Sequence, residues 1–294
     1  MFTHKTKPAR LLVALAGLAL VVGACGGDTE AEGVDPDVSC DFDDLRIVTA
    51  GTLTVATGEP VFPPWMGVGD DNFDVPESKT GFEGALVYEL SANLGFSDDQ
   101  VVWVRTGFDE AIAPGPKTWD FNIQQYSITE ARDEVVDFSV PYYVTRQALV
   151  TFADSAFADV TSVDDLKDAK LGAAIGTTSL DFIEDVIEPT TEPSVYDQNT
   201  DLEAAMNAGQ IDGLVVDLPT AYFVTAVQVE GSVIAGQFEA EAAAPDEYGI
   251  LFADGNPLVS CVNGALNELI DDGTLQQLED EWLTQDGDIP TISG

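Results

Sequence analysis

Beyond residue 45, short apolar runs alternate with helical stripes, and this alternation leaves few architectures open. Residues 53–56 form a short β-like run. Thr80-Gly81-Phe82-Glu83 has capping-box spacing and opens a helix with Phe82, Leu86, Leu90 and Leu94 on one stripe, ended at Gly95. Residues 101–104 and 121–123 read as strands, as do 171–175, which run into Gly176-Thr177-Thr178-Ser179 and a helix through Phe182, Val186 and Ile187. A helix over 201–208 closes at Gly209 before a strand at 211–216, and helical patterns over 258–270 and 274–283 fill the last quarter. Such alternation predicts an α/β fold with open sheets of buried, mostly parallel strands. No plain linker divides the chain. Extended stretches at 142–151 and 248–252 instead predict a double crossover, with two open lobes joined by a two-strand hinge. Residues 45–143 and 250–290 fall in the first lobe and 144–249 in the second.

The N-terminus reads as an address. Lys5, Lys7 and Arg10 precede an apolar run over residues 11–22, shorter than the ~20 residues of a spanning helix and shaped like a secretory signal. The run ends in Val22-Gly23-Ala24-Cys25, which resembles a bacterial lipobox and implies lipidation of Cys25 after removal of 1–24. The alternative is an ordinary signal peptide with Cys25 incidental. Residues 25–44 then read as a solvated tether, rich in Gly, Asp and Glu at its start. With no second long apolar run, the expected location is the outer face of the cytoplasmic membrane, reached only through the lipid.

Charge and composition prune the function classes. Removal of the signal leaves 8 basic against 53 acidic side chains. Phosphate recognition needs clustered Lys and Arg, which excludes nucleic acid as a partner. A hydrophobic content of 45% argues against disorder, so the acids are expected on a solvated surface that favours solubility and a monomer. The only histidine is His4, inside the signal, which removes Ser-His-Asp and Cys-His nucleophiles and the usual zinc sites. Asp70-Asp71-Asn72 lacks the glutamate that ends a calcium loop. No metal or cofactor is expected. Cys40 and Cys261 remain after lipidation, and an oxidising exported setting favours a disulfide over two buried thiols.

Polar and aromatic residues gather just after the predicted strands, where open α/β sheets bind ligands. Glu59, Phe62 and Trp65 follow the first, in a proline-stiffened loop. Phe108 follows the second; Gln124, Gln125, Ser127 and Arg132 follow the third; Thr177 and Thr178 follow 171–175; Asp217 follows 211–216. An amino-acid zwitterion needs this set. Its carboxylate suits the Arg132 fork and the helix start at Thr177 and Thr178. Its ammonium suits Asp217 and the Gln125–Ser127 segment, and Phe62 and Phe108 would enclose the substituent. Each residue has a plainer reading as well: Arg132 as a surface ion pair, Asp217 as a helix cap, the phenylalanines as core, and Thr177-Thr178 as a helix start only.

The order of these residues resembles the amino-acid-binding family of type II periplasmic solute-binding proteins, the receptors of ABC uptake transporters, over about residues 45–283. Tyr126-Ser-Ile-Thr-Glu-Ala-Arg-Asp-Glu-Val-Val-Asp-Phe-Ser-Val-Pro-Tyr-Tyr143 is similar to the family's T-x-x-R…V-D-F-S-x-P-Y block. The resemblance implies that Arg132 clamps the ligand carboxylate, that Ser127 touches the ligand and that Gln125 offers a backbone oxygen. Gly176-Thr177-Thr178-Ser179 is similar to the family's G-T-T-S helix start. The segment from Ile211 to Asp217 resembles D-A-V-V-x-D, whose final Asp holds the ammonium. Phe62-Pro63-Pro64 and Phe108 match the aromatic walls. Gln124-Gln125 departs from the small residues usual there. Glu59 stands where receptors for basic amino acids often carry an acid, which leans the ligand toward a polar or cationic amino acid.

The resulting expectation is a binding module without catalysis that delivers an amino acid to permease subunits. Two other classes compete. A dehydratase of cyclic acids on the same scaffold would need a cleft carboxyl as general acid. A sensory subunit would use the same pocket and differ in its membrane partner.

Overall fold

The computed structural model describes residues 33–69, 71–240, 242–283 and 288–294; the signal and Cys25 lie outside them. The chain opens with β1 (Leu53–Thr57), α1 (Phe82–Asn93), β2 (Val101–Arg105), α2 (Phe108–Ile112), β3 (Phe121–Asn122), α3 (Glu130–Asp133) and β4 (Val136–Phe138). Next come β5 (Tyr143–Thr145), β6 (Gln147–Phe152), β7 (Leu171–Ala174), α4 (Thr178–Phe182), β8 (Ser194–Tyr196), α5 (Asn199–Asn207), β9 (Gly213–Asp217), α6 (Leu218–Phe223) and β10 (Ser232–Phe238). The remainder is β11 (Asp246–Tyr248), β12 (Leu251–Ala253), α7 (Leu258–Asp271), α8 (Thr274–Trp282) and β13 (Thr291–Ile292).

Two sheets result, ordered β2-β1-β3-β12-β4 and β13-β10-β6-β9-β7-β8. Within each sheet β1 pairs in parallel with both β2 and β3, and β7 with both β8 and β9. The returning strands β12 and β6 pair antiparallel with their neighbours, so both sheets are mixed. Their central strands are buried on both faces: Leu53 and Ala56 of β1, and Leu149 and Val150 of β6, point into opposite cores and are all fully buried. The first lobe packs α1, α7 and α8 on one side of its sheet and Trp119, Tyr126 and Phe138 on the other. The second lobe likewise has a core on each face, one around Phe182 and Phe238 and one around Leu202 and Met206.

Between the lobes β5 and β11 form an antiparallel ribbon, with Val144 opposite Glu247. The chain also returns to the second lobe at its end: β13 pairs in parallel with β10. Nothing in the sequence pattern pointed to that strand.

Residues 33–44 fall in the expected tether, yet they are pinned to α7. The Gly33 carbonyl accepts from Asn263 Nδ2 at 2.9 Å, and the Asp35 amide donates to Ser260 Oγ at 2.7 Å. Cys40 and Cys261 are joined by a disulfide across 221 residues of sequence. In the chain-entropy account a cross-link over so long a loop stabilises the fold by about 5 kcal/mol.

The capping box expected at Thr80 is not made. Gly81 is the N-cap residue of α1, with φ of 88°, and a β-carbon there would lie 2.6 Å from the Trp65 carbonyl oxygen. The first amides of α1 bond the preceding loop instead, Phe82 to Pro64 and Glu83 to Trp65. That frees the Glu83 side chain to turn inward.

Candidate functional site

The carboxyl ends of β1, β3, β7 and β9 converge on a cavity of about 260 Å³ between the lobes. The structure brings Glu59, Phe62, Trp65, Phe108, Gln124, Gln125, Ser127, Arg132, Thr177, Thr178 and Asp217 together in its wall. Their roles there differ.

Arg132 is 8% exposed and has no ion pair among the described residues. Its Nη1 donates to the Ser127 carbonyl at 2.6 Å and its Nη2 to the Gly176 carbonyl, across the cleft, at 2.8 Å. The guanidinium stands 5.5 Å from the Phe108 ring, itself stacked on Tyr126. Burial pushes the Arg132 pKa down. A surface ion pair is thus excluded. What the fold holds here is a buried cation with no paired carboxylate, Asp181 and Asp246 acting on it only from beyond ion-pair distance, an arrangement that is costly unless an anion completes it.

Asp217 ends β9 and caps α6, accepting from the Thr220 amide at 3.0 Å. The cap reading is therefore correct as far as it goes, but the half-buried carboxylate also lines the cavity. Burial raises its pKa from 3.8 to about 6, against the pull of the Thr220 hydrogen bonds. A ligand ammonium would offset that desolvation.

The remaining residues divide between wall and latch. Thr177 is a true N-cap, accepting from the Leu180 amide and donating to the Ala174 carbonyl. The Thr178 hydroxyl meets that of Ser127 at 3.2 Å, joining the lobes. Trp65 is nearly buried and donates its indole N–H to Thr220 Oγ1 at 3.0 Å, also across the cleft. Phe62 faces Phe223 of the second lobe at 6.3 Å between centroids. Gln124 Oε1 accepts from Tyr126 Oη. Glu59 is exposed at the rim.

Gln125 takes a left-handed backbone, φ 52°, held by a residue the sequence reading had placed elsewhere. Glu83, fully buried, accepts from the Gln125 amide at 2.8 Å and from the side chain of Gln125 and the hydroxyl of Tyr142. Burial raises its pKa from 4.5 to about 7. Gln147, Thr220, Phe223 and Glu203 also line the cavity without having been singled out. They sit inside or at the start of elements, where sequence gave no turn or motif to mark them. No group of three or more Cys, His, Asp or Glu among the described residues is placed to hold a metal ion, and no described helix is long and apolar enough to cross a membrane.

Two α/β lobes meeting through a hinge ribbon over one polar cavity define a clamshell receptor for a small solute. The model of the bacterial extracellular solute-binding proteins, family 3, matches residues 53–285, and the chain belongs to that family. It is 29% identical over 244 residues to the L-cystine-binding protein TcyJ of Escherichia coli (strain K12), covering 82% of this chain and 86% of that protein. It is 27% identical over 237 residues to ABC transporter arginine-binding protein 1 of the same strain, covering 76% and 88%. Among solved structures, an ancestral arginine-binding protein bound to arginine superposes with a TM-score of 0.67 at 28% identity, covering 80% of this chain and 99% of that one. Membership of a family of binding proteins sets the non-catalytic reading above the dehydratase one.

Proposed function

We propose that the protein captures an α-amino acid between its lobes and presents it to the permease subunits of an ABC importer, while held to the membrane by a lipid on Cys25. The observation that carries this reading is the buried Arg132, with no ion-pair partner among the described residues, lining the same cavity as the half-buried Asp217. One cation and one anion, both desolvated, match the two charges of a zwitterion. The relatives' ligands, cystine and arginine, are α-amino acids. Residues 45–143 and 250–290 move as one lobe and 144–249 as the other, closing as a monomer around the β5–β11 ribbon.

A thermal-shift panel of the twenty amino acids on protein refolded free of carried-over ligand tests this. A ligand selective for the native state raises Tm. Arg132→Ala should abolish the shift, because removing one partner of a buried charge pair costs about 2–5 kcal/mol of binding. Arg146→Ala, which lies outside the cavity, should leave it nearly intact. No shift with any amino acid, or equal loss from the two variants, sinks the reading.

A further inference from the structure

The wall of the cavity carries more negative charge than a zwitterion needs. Its acids are Glu59, Glu83, Asp197, Glu203 and Asp217, and its only cation among the described residues is Arg132. Arg132 and Asp217 are matched by the ligand's carboxylate and ammonium. Glu83 is occupied with Gln125 and Tyr142. Glu59 and Asp197 are exposed and solvated at the rim. Glu203 remains.

Glu203 lies on α5, one turn beyond Asn199, so the two share a helix face, and both line the cavity. The helix follows β8, the edge strand of the second sheet. The Glu203 carboxyl is partly buried and has no hydrogen bond or ion pair within the described residues. Desolvation alone raises its pKa, to about 7, as expected of an acid that has lost water and gained no partner. The cavity also has room for a long side chain. Its 260 Å³ is many times what a single water requires, and Phe62 and Phe223 supply an apolar wall for a methylene stem.

We infer that the ligand is an α-amino acid whose side chain ends in a cation, an ammonium or a guanidinium, and that Glu203 is the carboxylate that receives it. This rests on the amino-acid reading above and narrows it. An acidic amino acid is disfavoured by the same inventory, since its second carboxylate would meet Glu203 and find no spare cation.

Calorimetric titration of the refolded protein with L-arginine, L-lysine, L-citrulline, L-norleucine and L-glutamate tests the inference, because citrulline and norleucine keep the stem and lose the charge. A charge-assisted hydrogen bond predicts a preference of roughly 10- to 100-fold for one of the cationic ligands over its neutral counterpart. Glu203→Gln should erase that preference while leaving citrulline and norleucine binding within about twofold. Neutral ligands binding as tightly as cationic ones, or tight binding of L-glutamate, overturns the inference and leaves the amino-acid reading standing. A preference that survives Glu203→Gln and falls with Glu59→Gln overturns the assignment to Glu203. Failure of every amino acid to bind removes both readings together.

Discussion

Glu83 is a carboxyl group cut off from water, and its titration should be visible in the stability of the whole protein. Its folded pKa of about 7 lies above the ordinary value of 4.5. Between these two values the native state therefore holds more protons than the unfolded state. Stability from this group is fully present below pH 4.5 and is lost as pH rises toward 7. Asp217, raised from 3.8 to about 6, adds a loss of the same sign over its own window. Ligand-free protein should lose on the order of 1–3 kcal/mol between pH 5 and 7.5 through Glu83, and Glu83→Gln should flatten that part of the curve. Parallel Tm profiles for the two proteins would show that Glu83 is not the group responsible. This residue also marks where reading the sequence fell short. Glu at the third position after Thr is the signature of a cap, and only the docking of the Pro64 and Trp65 carbonyls on α1 turns it inward. Asp217, by contrast, was legible because it ends a strand whose type was already clear, and Arg132 because its block resembles the family's T-x-x-R pattern.

The elements that close the cleft are the loop after β1 and helix α6. Trp65 reaches across to Thr220, and the Thr220 amide bonds Asp217. With its oxygen accepting from the indole, the Thr220 hydroxyl has its proton free for the Asp217 carboxylate, whose pKa it helps hold down. In the proposed function, closure and ammonium recognition would thus share one relay. Trp65→Phe keeps most of the ring and removes the N–H, and should weaken ligand binding about fivefold, the worth of one net hydrogen bond. Thr220→Val should cost at least as much, and combining the two should add little to Thr220→Val alone. Full additivity would mean that the bond is not made in solution. The strands and helices that frame these contacts follow from periodicity, which places 53–56 within β1 and 211–216 largely within β9. The latch itself did not, because a Trp after Pro-Pro carries no sign of which side chain across a hinge it will meet. The strand β13 was missed for a related reason: two residues are too few to show a period.

For the whole molecule, the lipid proposed on Cys25 and the clamshell would be separable. The described part of the tether is bonded to α7 and cross-linked through Cys40, so a change upstream of it should leave the cavity intact. Cys25→Ser should move the protein from the membrane to the soluble fraction of cells that export it, with amino-acid binding unchanged. Retention at the membrane would refute the anchor, and lost binding would refute the separation. The acidic surface is consistent with the same picture, since a body carrying 53 acids is repelled by an anionic bilayer and needs a covalent hold to stay near it.

The return of β13 to the second sheet, set against the pinning of residues 33–44 to the first lobe, gives the two ends of the folded body to opposite jaws. If the proposed lipid holds Cys25, any pull transmitted from it would act on one jaw alone and leave the other free to swing. A donor dye near Asp43 and an acceptor near Ser293 would accordingly ride on different jaws, making the molecule a ready-built distance gauge of its own opening.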